Sequence, residues 1–140
     1  MSLVGVEGDL ATGNVVVSMR MELLDAILEG AKRLFPRETI LLLRGKKTKD
    51  TIVVTDLLVP PLANYGHGFA HIPIYMMPMD FSIVGTVHSH PSGNFNPSPT
   101  DLNHMFGRVL MIVAAPYKGE ANVAAYNRNG DRIQFCVTET

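Results

Sequence analysis

Apolar residues recur along this chain in two rhythms. Between Met21 and Leu34, the residues Leu23, Leu24, Ile27, Leu28, Ala31 and Leu34 return at the three- and four-residue spacing of one helix face. Ser18 precedes this stretch as a candidate N-cap, and Pro36 ends it, because the residue before a proline is pushed out of the helical region. The other rhythm is the short, β-prone run bounded by turn residues. Residues 15–17, 39–43, 51–59, 83–89 and 109–115 fit it, and each predicts a strand, the apolar ones buried. Residues 45–50 predict a turn, residues 60–68 a loop, residues 69–74 a short strand and residues 76–79 a helical turn. A second helix opens at Ser98-Pro99-Thr100-Asp101 and runs to about Phe106. Residues 122–126 and 132–137 predict a hairpin around Asn129-Gly130. Helices alternate with strands, several of them joined by tight turns. The expected fold is therefore α/β: one domain over residues 1–140, with a mixed sheet flanked by helices in three layers.

Composition agrees with a packed domain. Of 140 residues, 46% are hydrophobic and 18% charged, the reverse of a disordered chain. The formal net charge is −1, which offers no basic surplus to a nucleic acid. No apolar run reaches the ~20 residues that span a bilayer, and the first residues lack the charged and apolar regions of a signal peptide. The lone Cys136 suits a reducing compartment, so a cytoplasmic protein is expected.

The chemistry concentrates in fourteen residues. His88 and His90 stand two apart at the end of an apolar strand, so both imidazoles share a face, and Pro91 ends the strand just beyond them. Asp101 follows in the first turn of the next helix, and the loop 92–97 can return its carboxylate to the histidines. Two imidazoles and one carboxylate make the three-ligand set of a catalytic zinc, which keeps a fourth position open. Ser98 to Asp101 is also a good helix start, with serine at the N-cap, proline at N1 and an acid at N3. The two roles agree, since a capped helix holds the carboxylate still.

His88-Ser89-His90-Pro91, six residues, then Ser98-Pro99-Thr100-Asp101 resembles the JAMM (MPN-plus) metallopeptidase signature at every fixed position. The upstream segment Pro36-Arg37-Glu38-Thr39, before an apolar strand, is similar to the segment that carries the family's glutamate. The resemblance implies an MPN, or cytidine-deaminase-like, fold with one Zn2+ per chain held by His88, His90 and Asp101. It further implies Glu38 as general base and Ser98 as donor to the oxyanion. The substrate class it implies is the C-terminal tail of a ubiquitin-like or sulfur-carrier protein, with Tyr65 and His71 on the wall of the tail's groove. A homodimer is compatible with it. Two other readings stay open: a non-catalytic MPN scaffold, and a DNA-repair-associated relative whose His-Pro-Ser-Gly and Pro-Ser pairs match residues 90–93 and 97–98. His67 reads as a loop residue, His104 as exposed or capping, the methionines at 76, 77 and 79 as core filler, and Cys136 as a buried strand residue.

Overall fold

The computed structural model describes residues 15–60, 64–66, 69–71 and 82–139. Strand β1 (Val16–Arg20) leads directly into helix α1 (Met21–Leu34). The hairpin β2 (Ile40–Lys47) and β3 (Thr51–Leu58) follows, then a two-stranded pair, β4 (Asn64–Gly66) and β5 (Phe69–His71). Next come β6 (Ile83–His90), helix α2 (Pro99–Asn103), β7 (Val109–Ala114) and the closing hairpin β8 (Val123–Tyr126) and β9 (Arg132–Thr138). Seven strands run in the order β1-β3-β2-β6-β7-β8-β9, and β1 pairs with β9 to close the sheet on itself. β1 lies parallel to β3 and β9, and β6 parallel to β7, while the remaining pairs are antiparallel. The mixed sheet with helices on its faces is as expected; its closure is a further feature that the strand runs do not reveal.

Helix α1 packs its apolar stripe of Leu24, Ile27, Leu28 and Ala31 against Val17, Met19, Leu43, Ile52 and Met111 on one side of the sheet. Each fully buried Leu, Ile, Val or Met side chain among them contributes about 1.5–3 kcal/mol. The opposite side is covered near α2, where Leu110, Ile112, Ala124 and Tyr126 meet Met105, Phe95 and Leu102. β6 and β7 lie between these layers and are buried at every residue. His88 pairs in register with Ile40 on β2 and Ile112 on β7. It therefore belongs to the α2 side of the sheet, as do Thr86 and His90 by alternation.

Several local expectations are corrected. Ser18 is not an N-cap: it is buried inside β1, and α1 starts from an extended Arg20 with no side-chain cap. Pairing on both flanks carries β1 through Met19, with β9 continuing to Arg20, and a ladder of backbone bonds outweighs one capping bond. Leu34 is 41% exposed and falls outside the buried stripe of α1. The turn expected at residues 45–50 narrows to residues 48–50, because β2 continues through Gly45. A register shift falls between Arg44 and Gly45, and a Cβ at Gly45 would strike the Val53 carbonyl. Glycine is needed there for close approach of two strands, as at a bulge. Helix α2 stops at Asn103, short of Phe106. The Thr86 hydroxyl bonds both the Phe106 N–H (2.9 Å) and the Phe106 carbonyl (3.0 Å), and Gly107 turns the chain at φ 82° into β7. The loop expected over residues 60–68 contains β4, the strand expected over residues 69–74 is described as β5 over Phe69–His71, and residues 72–74 and the helical turn expected at residues 76–79 lie outside the described residues.

The packing of α1 is testable by contrast along one helix. Leu24→Ala should destabilise the protein by about 2–5 kcal/mol, because Leu24 is fully buried and leaves a cavity. Leu34→Ala, at an exposed site, should stay within about 0.5 kcal/mol. Denaturant midpoints of the two variants read the difference.

Candidate active site

The strand end of β6 and the first turn of α2 meet at Asp101. Ser98 and Asp101 form a complete capping box: the Asp101 N–H donates to Ser98 Oγ (3.0 Å) and the Ser98 N–H donates to Asp101 Oδ2 (2.9 Å). One carboxylate oxygen is thus fixed by backbone, and the group is aimed at the histidines. Asp101 Oδ2 lies 3.1 Å from His90 Nε2, and Oδ1 lies 3.5 Å from His88 Nδ1. The loop between the two elements is tied down as well. His90 Nδ1 donates to the Asn94 carbonyl (2.8 Å), and the Tyr126 hydroxyl donates to the Phe95 carbonyl (2.6 Å). Asn94, Phe95 and Tyr126 are residues that sequence reasoning missed. Two of them act through backbone carbonyls, for which residue type gives no signal.

Glu38 approaches from the other side, two residues before β2. The Thr39 N–H donates to Ser89 Oγ (2.8 Å), and the Ser89 N–H donates to the Thr39 carbonyl (3.1 Å). The Glu38 carboxyl then shares an open cleft of about 610 Å³ with His90, Ser98, Asp101, Asn94 and Pro36. The structure therefore brings together all five residues that the sequence marks as catalytic or metal-binding. Tyr65 and His71 lie on the neighbouring strands β4 and β5, Tyr65 in register with Ala70 and His71 with Asn64. His104 is exposed and its ring Nδ1 donates to the Thr100 carbonyl (3.0 Å), a capping role at the end of α2.

The electrostatics separate the groups. Burial pushes the His88 imidazole down to about 4, and the nearby Asp101 carboxylate only partly opposes it. Burial also disfavours charge on His90, but the hydrogen bonds that its protonated ring gives to the Asp101 carboxylate and the Asn94 carbonyl outweigh it and raise that group. Burial would raise Asp101; the His90 and Ser98 hydrogen bonds instead hold it at about 2. Glu38 is raised, chiefly by burial, with His90 lowering it and Asp101 raising it. A carboxyl held above its ordinary range is suited to exchanging protons near neutrality.

The donor set fits a metal ion on four observations. His88 is 1% exposed, yet neither ring nitrogen has a hydrogen-bond partner. A neutral imidazole carries one donor and one lone pair, and burying both unsatisfied is costly. In the neutral ring His90 Nδ1 holds the proton, so Nε2 turns a bare lone pair toward the carboxylate, and a cation belongs between two such acceptors. Glu38 Oε2 is likewise buried without a partner. The trio is also crowded together, with His90 Nε2 3.1 Å and His88 Nδ1 3.5 Å from the two oxygens of the Asp101 carboxylate. Among the described residues no three such side chains already converge on one point as ligands, so the trio must close slightly to hold an ion.

The prokaryotic homologues of the JAB domain match residues 20–129 of this chain. The chain belongs to that family. It is 35% identical over 123 residues to a protein of Haloferax volcanii called a probable metalloprotease, covering 83% of this chain and 76% of the relative. A JAB1/MPN domain protein from Archaeoglobus fulgidus is 34% identical, with a TM-score of 0.64 over 89% of this chain and all of that one. A structure described as JAMM, a metalloprotease-like zinc site in the proteasome and signalosome, is 34% identical, with a TM-score of 0.62 over 89% of this chain and 99% of that one. At 17% identity and a TM-score of 0.67, a protein of Desulfitobacterium hafniense shares the fold. The protein is a prokaryotic JAMM-family member, as the histidine motif implied. Among the described residues no helix is long and apolar enough to cross a membrane.

Proton NMR of the metal-free protein tests the charge arrangement. The His88 ring should stay neutral until the pH falls to about 4, while His90 titrates above its ordinary 6.5. The signs differ in their effect on folding. The unfolded chain binds the His88 proton more readily, so the His88 contribution to stability is present above 6.5 and lost as pH falls toward 4. The His90 contribution is present below 6.5 and lost as pH rises through its raised value. Two histidines titrating together near 6.5 would contradict this geometry.

Proposed function

We propose that this protein is a zinc-dependent peptidase that hydrolyses the bond following the C-terminal tail of a ubiquitin-like or sulfur-carrier protein. The observation that carries the reading is a buried His88 with both nitrogens unpartnered, beside the His90–Asp101 pair and the unpartnered Glu38 oxygen. His88, His90 and Asp101 would hold the ion, and the similar protein with a metalloprotease-like zinc site supports zinc as its identity. Bound there, zinc supplies a Lewis acid that polarises the scissile carbonyl and makes water acidic enough to attack at neutral pH.

The chain's own residues do the remaining work. Glu38 takes a proton from the attacking water and passes it to the leaving amine, a role its raised, partly buried carboxyl suits. Ser98 Oγ accepts the Asp101 N–H, which leaves the hydroxyl proton free to meet the oxyanion. Asp101 keeps its charge while doing so, because the capping box and His90 stabilise the ionised form.

A modifier tail ending in Gly-Gly is extended and presents backbone groups to a strand edge. The seven-stranded sheet has no such edge, since β1 and β9 close it. Among the described residues β4 and β5 pair only with each other, and they carry Tyr65 and His71. We therefore assign the tail to that pair, with Tyr65 and His71 at its wall.

Incubation of zinc-loaded protein with modifier conjugates and linear fusions, read by mass spectrometry, tests the activity. Cleavage after the tail is expected, and intact substrates of every modifier class would sink the proposal. His90→Ala should lose the metal; full zinc in that variant would refute the ligand assignment. Glu38→Gln should keep zinc and fold but lose roughly 10²–10⁴-fold in turnover, the usual contribution of a general base. Ser98→Ala should lose about 10²–10³-fold in turnover and about 1 kcal/mol of stability through the cap. Intact turnover with a lowered melting point would leave Ser98 as a cap alone.

A further inference from the structure

Ser89, the residue between the two histidines, points to the α1 side of the sheet and is fully buried there. Its partner is Thr39, fifty residues away and adjacent to Glu38. Two hydrogen-bonded residues facing each other on antiparallel strands normally exchange both of their N–H to carbonyl bonds. Here only half of that exchange is made by backbone: the Ser89 N–H donates to the Thr39 carbonyl (3.1 Å). The Thr39 N–H donates instead to the Ser89 side chain, Oγ (2.8 Å). The regular ladder between β2 and β6 accordingly ends one residue earlier, at Ile40 and His88.

That exchange of a carbonyl for a hydroxyl has a geometric consequence. The side-chain oxygen stands off the backbone of β6, so the regular pairing stops at Ile40 while the chain before it is still gripped at two points. Glu38 is the next residue along that departing segment, and its carboxyl enters the cleft beside His90 and Asp101. The Ser89 end of the grip is fully buried, while Thr39 is half-buried. Tyr117 is 2% exposed and holds a backbone φ of 58°; burial raises its hydroxyl above the ordinary value, with Ser89 lowering it and Glu38 raising it. A non-glycine residue with positive φ is retained only where its surroundings require it.

We propose that Ser89 is a positioning residue for the general base: its hydroxyl anchors the Thr39 N–H, and the doubly held Thr39 sets where the Glu38 carboxylate sits. The claim rests on the hydrolytic reading of the site. Glu38 is the one proposed catalytic group on this segment, and no other described hydrogen bond of residues 38 or 39 replaces the anchor. Ser89 faces away from the histidine side of the strand, so removing its hydroxyl leaves the proposed metal ligands in place.

The test compares Ser89→Ala, Ser89→Cys and Ser89→Thr with the parent. Misplacing a catalytic group by about an ångström costs on the order of 10²-fold. Ser89→Ala should therefore keep its zinc and its KM within about twofold, while kcat falls about 10- to 100-fold. Ser89→Cys preserves the volume and loses most of the acceptor strength, so it should show the same split and stands in if the alanine variant does not fold. Ser89→Thr restores a hydroxyl and should recover most of kcat. Amide exchange of Thr39, followed by NMR on metal-free protein, should be slow in the parent and the threonine variant and fast in the other two. A lowered melting point with unchanged kcat, or a Thr39 amide equally protected in all four proteins, would overturn the proposal. Absence of hydrolysis by the parent would refute the peptidase reading instead, and the Thr39 amide would still decide the anchor.

Discussion

A polar ring buried at the end of a central strand, with neither nitrogen hydrogen-bonded, is the constraint around which this molecule is organised. β6 is buried along its whole length, and His88 pairs across to Ile40 and Ile112, with the Asp101 carboxylate 3.5 Å from its Nδ1. Burial keeps that imidazole neutral well below its ordinary range. A neutral ring with a free lone pair is what a metal ion requires of a histidine. Folding thus prepares the ligand, and the folding energy of the sheet offsets the unsatisfied nitrogens.

The same economy runs through α2. With five residues this helix has little stability of its own, because a short helix forms few internal bonds. It persists through its capping box and the contact of Leu102 with the core. The capping box uses the two groups that the site needs, Ser98 and Asp101. Stability and chemistry are coupled here, so substitutions at either position act on both.

Closure of the sheet provides the frame. The β1–β9 pairing satisfies both edges, and α1 packs across the Val17, Met19 and Leu43 side of the same sheet. On such a frame the cleft can be built from segments far apart in the chain. Glu38 precedes β2, His88 and His90 end β6, and Asp101 opens α2. Buttresses from Tyr126 and Thr86 hold the connecting loops. Charges then order themselves by burial and contact: Asp101 ionised, His88 neutral, Glu38 raised between the two regimes.

Local periodicity and local chemistry made a large part of this legible in the sequence. The limits of α1 follow from its 3.6-residue rhythm, and β6 and β7 from their unbroken apolar runs. His88 and His90 share a face because strand side chains alternate, and Asp101 is fixed by its spacing from Ser98. All of these depend on neighbours within a few residues. What tertiary structure alone decided depends on partners distant in the chain. Ser18 has the identity of a cap, yet strands β3 and β9 claim it. Gly45 reads as a turn residue, yet the Val53 carbonyl across the hairpin is the reason for it. Sheet closure needs β1 and β9 to meet from opposite ends of the described chain. Ser89 carries no mark of its bond to Thr39, because an alternation pattern tells which face a side chain takes and not which segment will be waiting there.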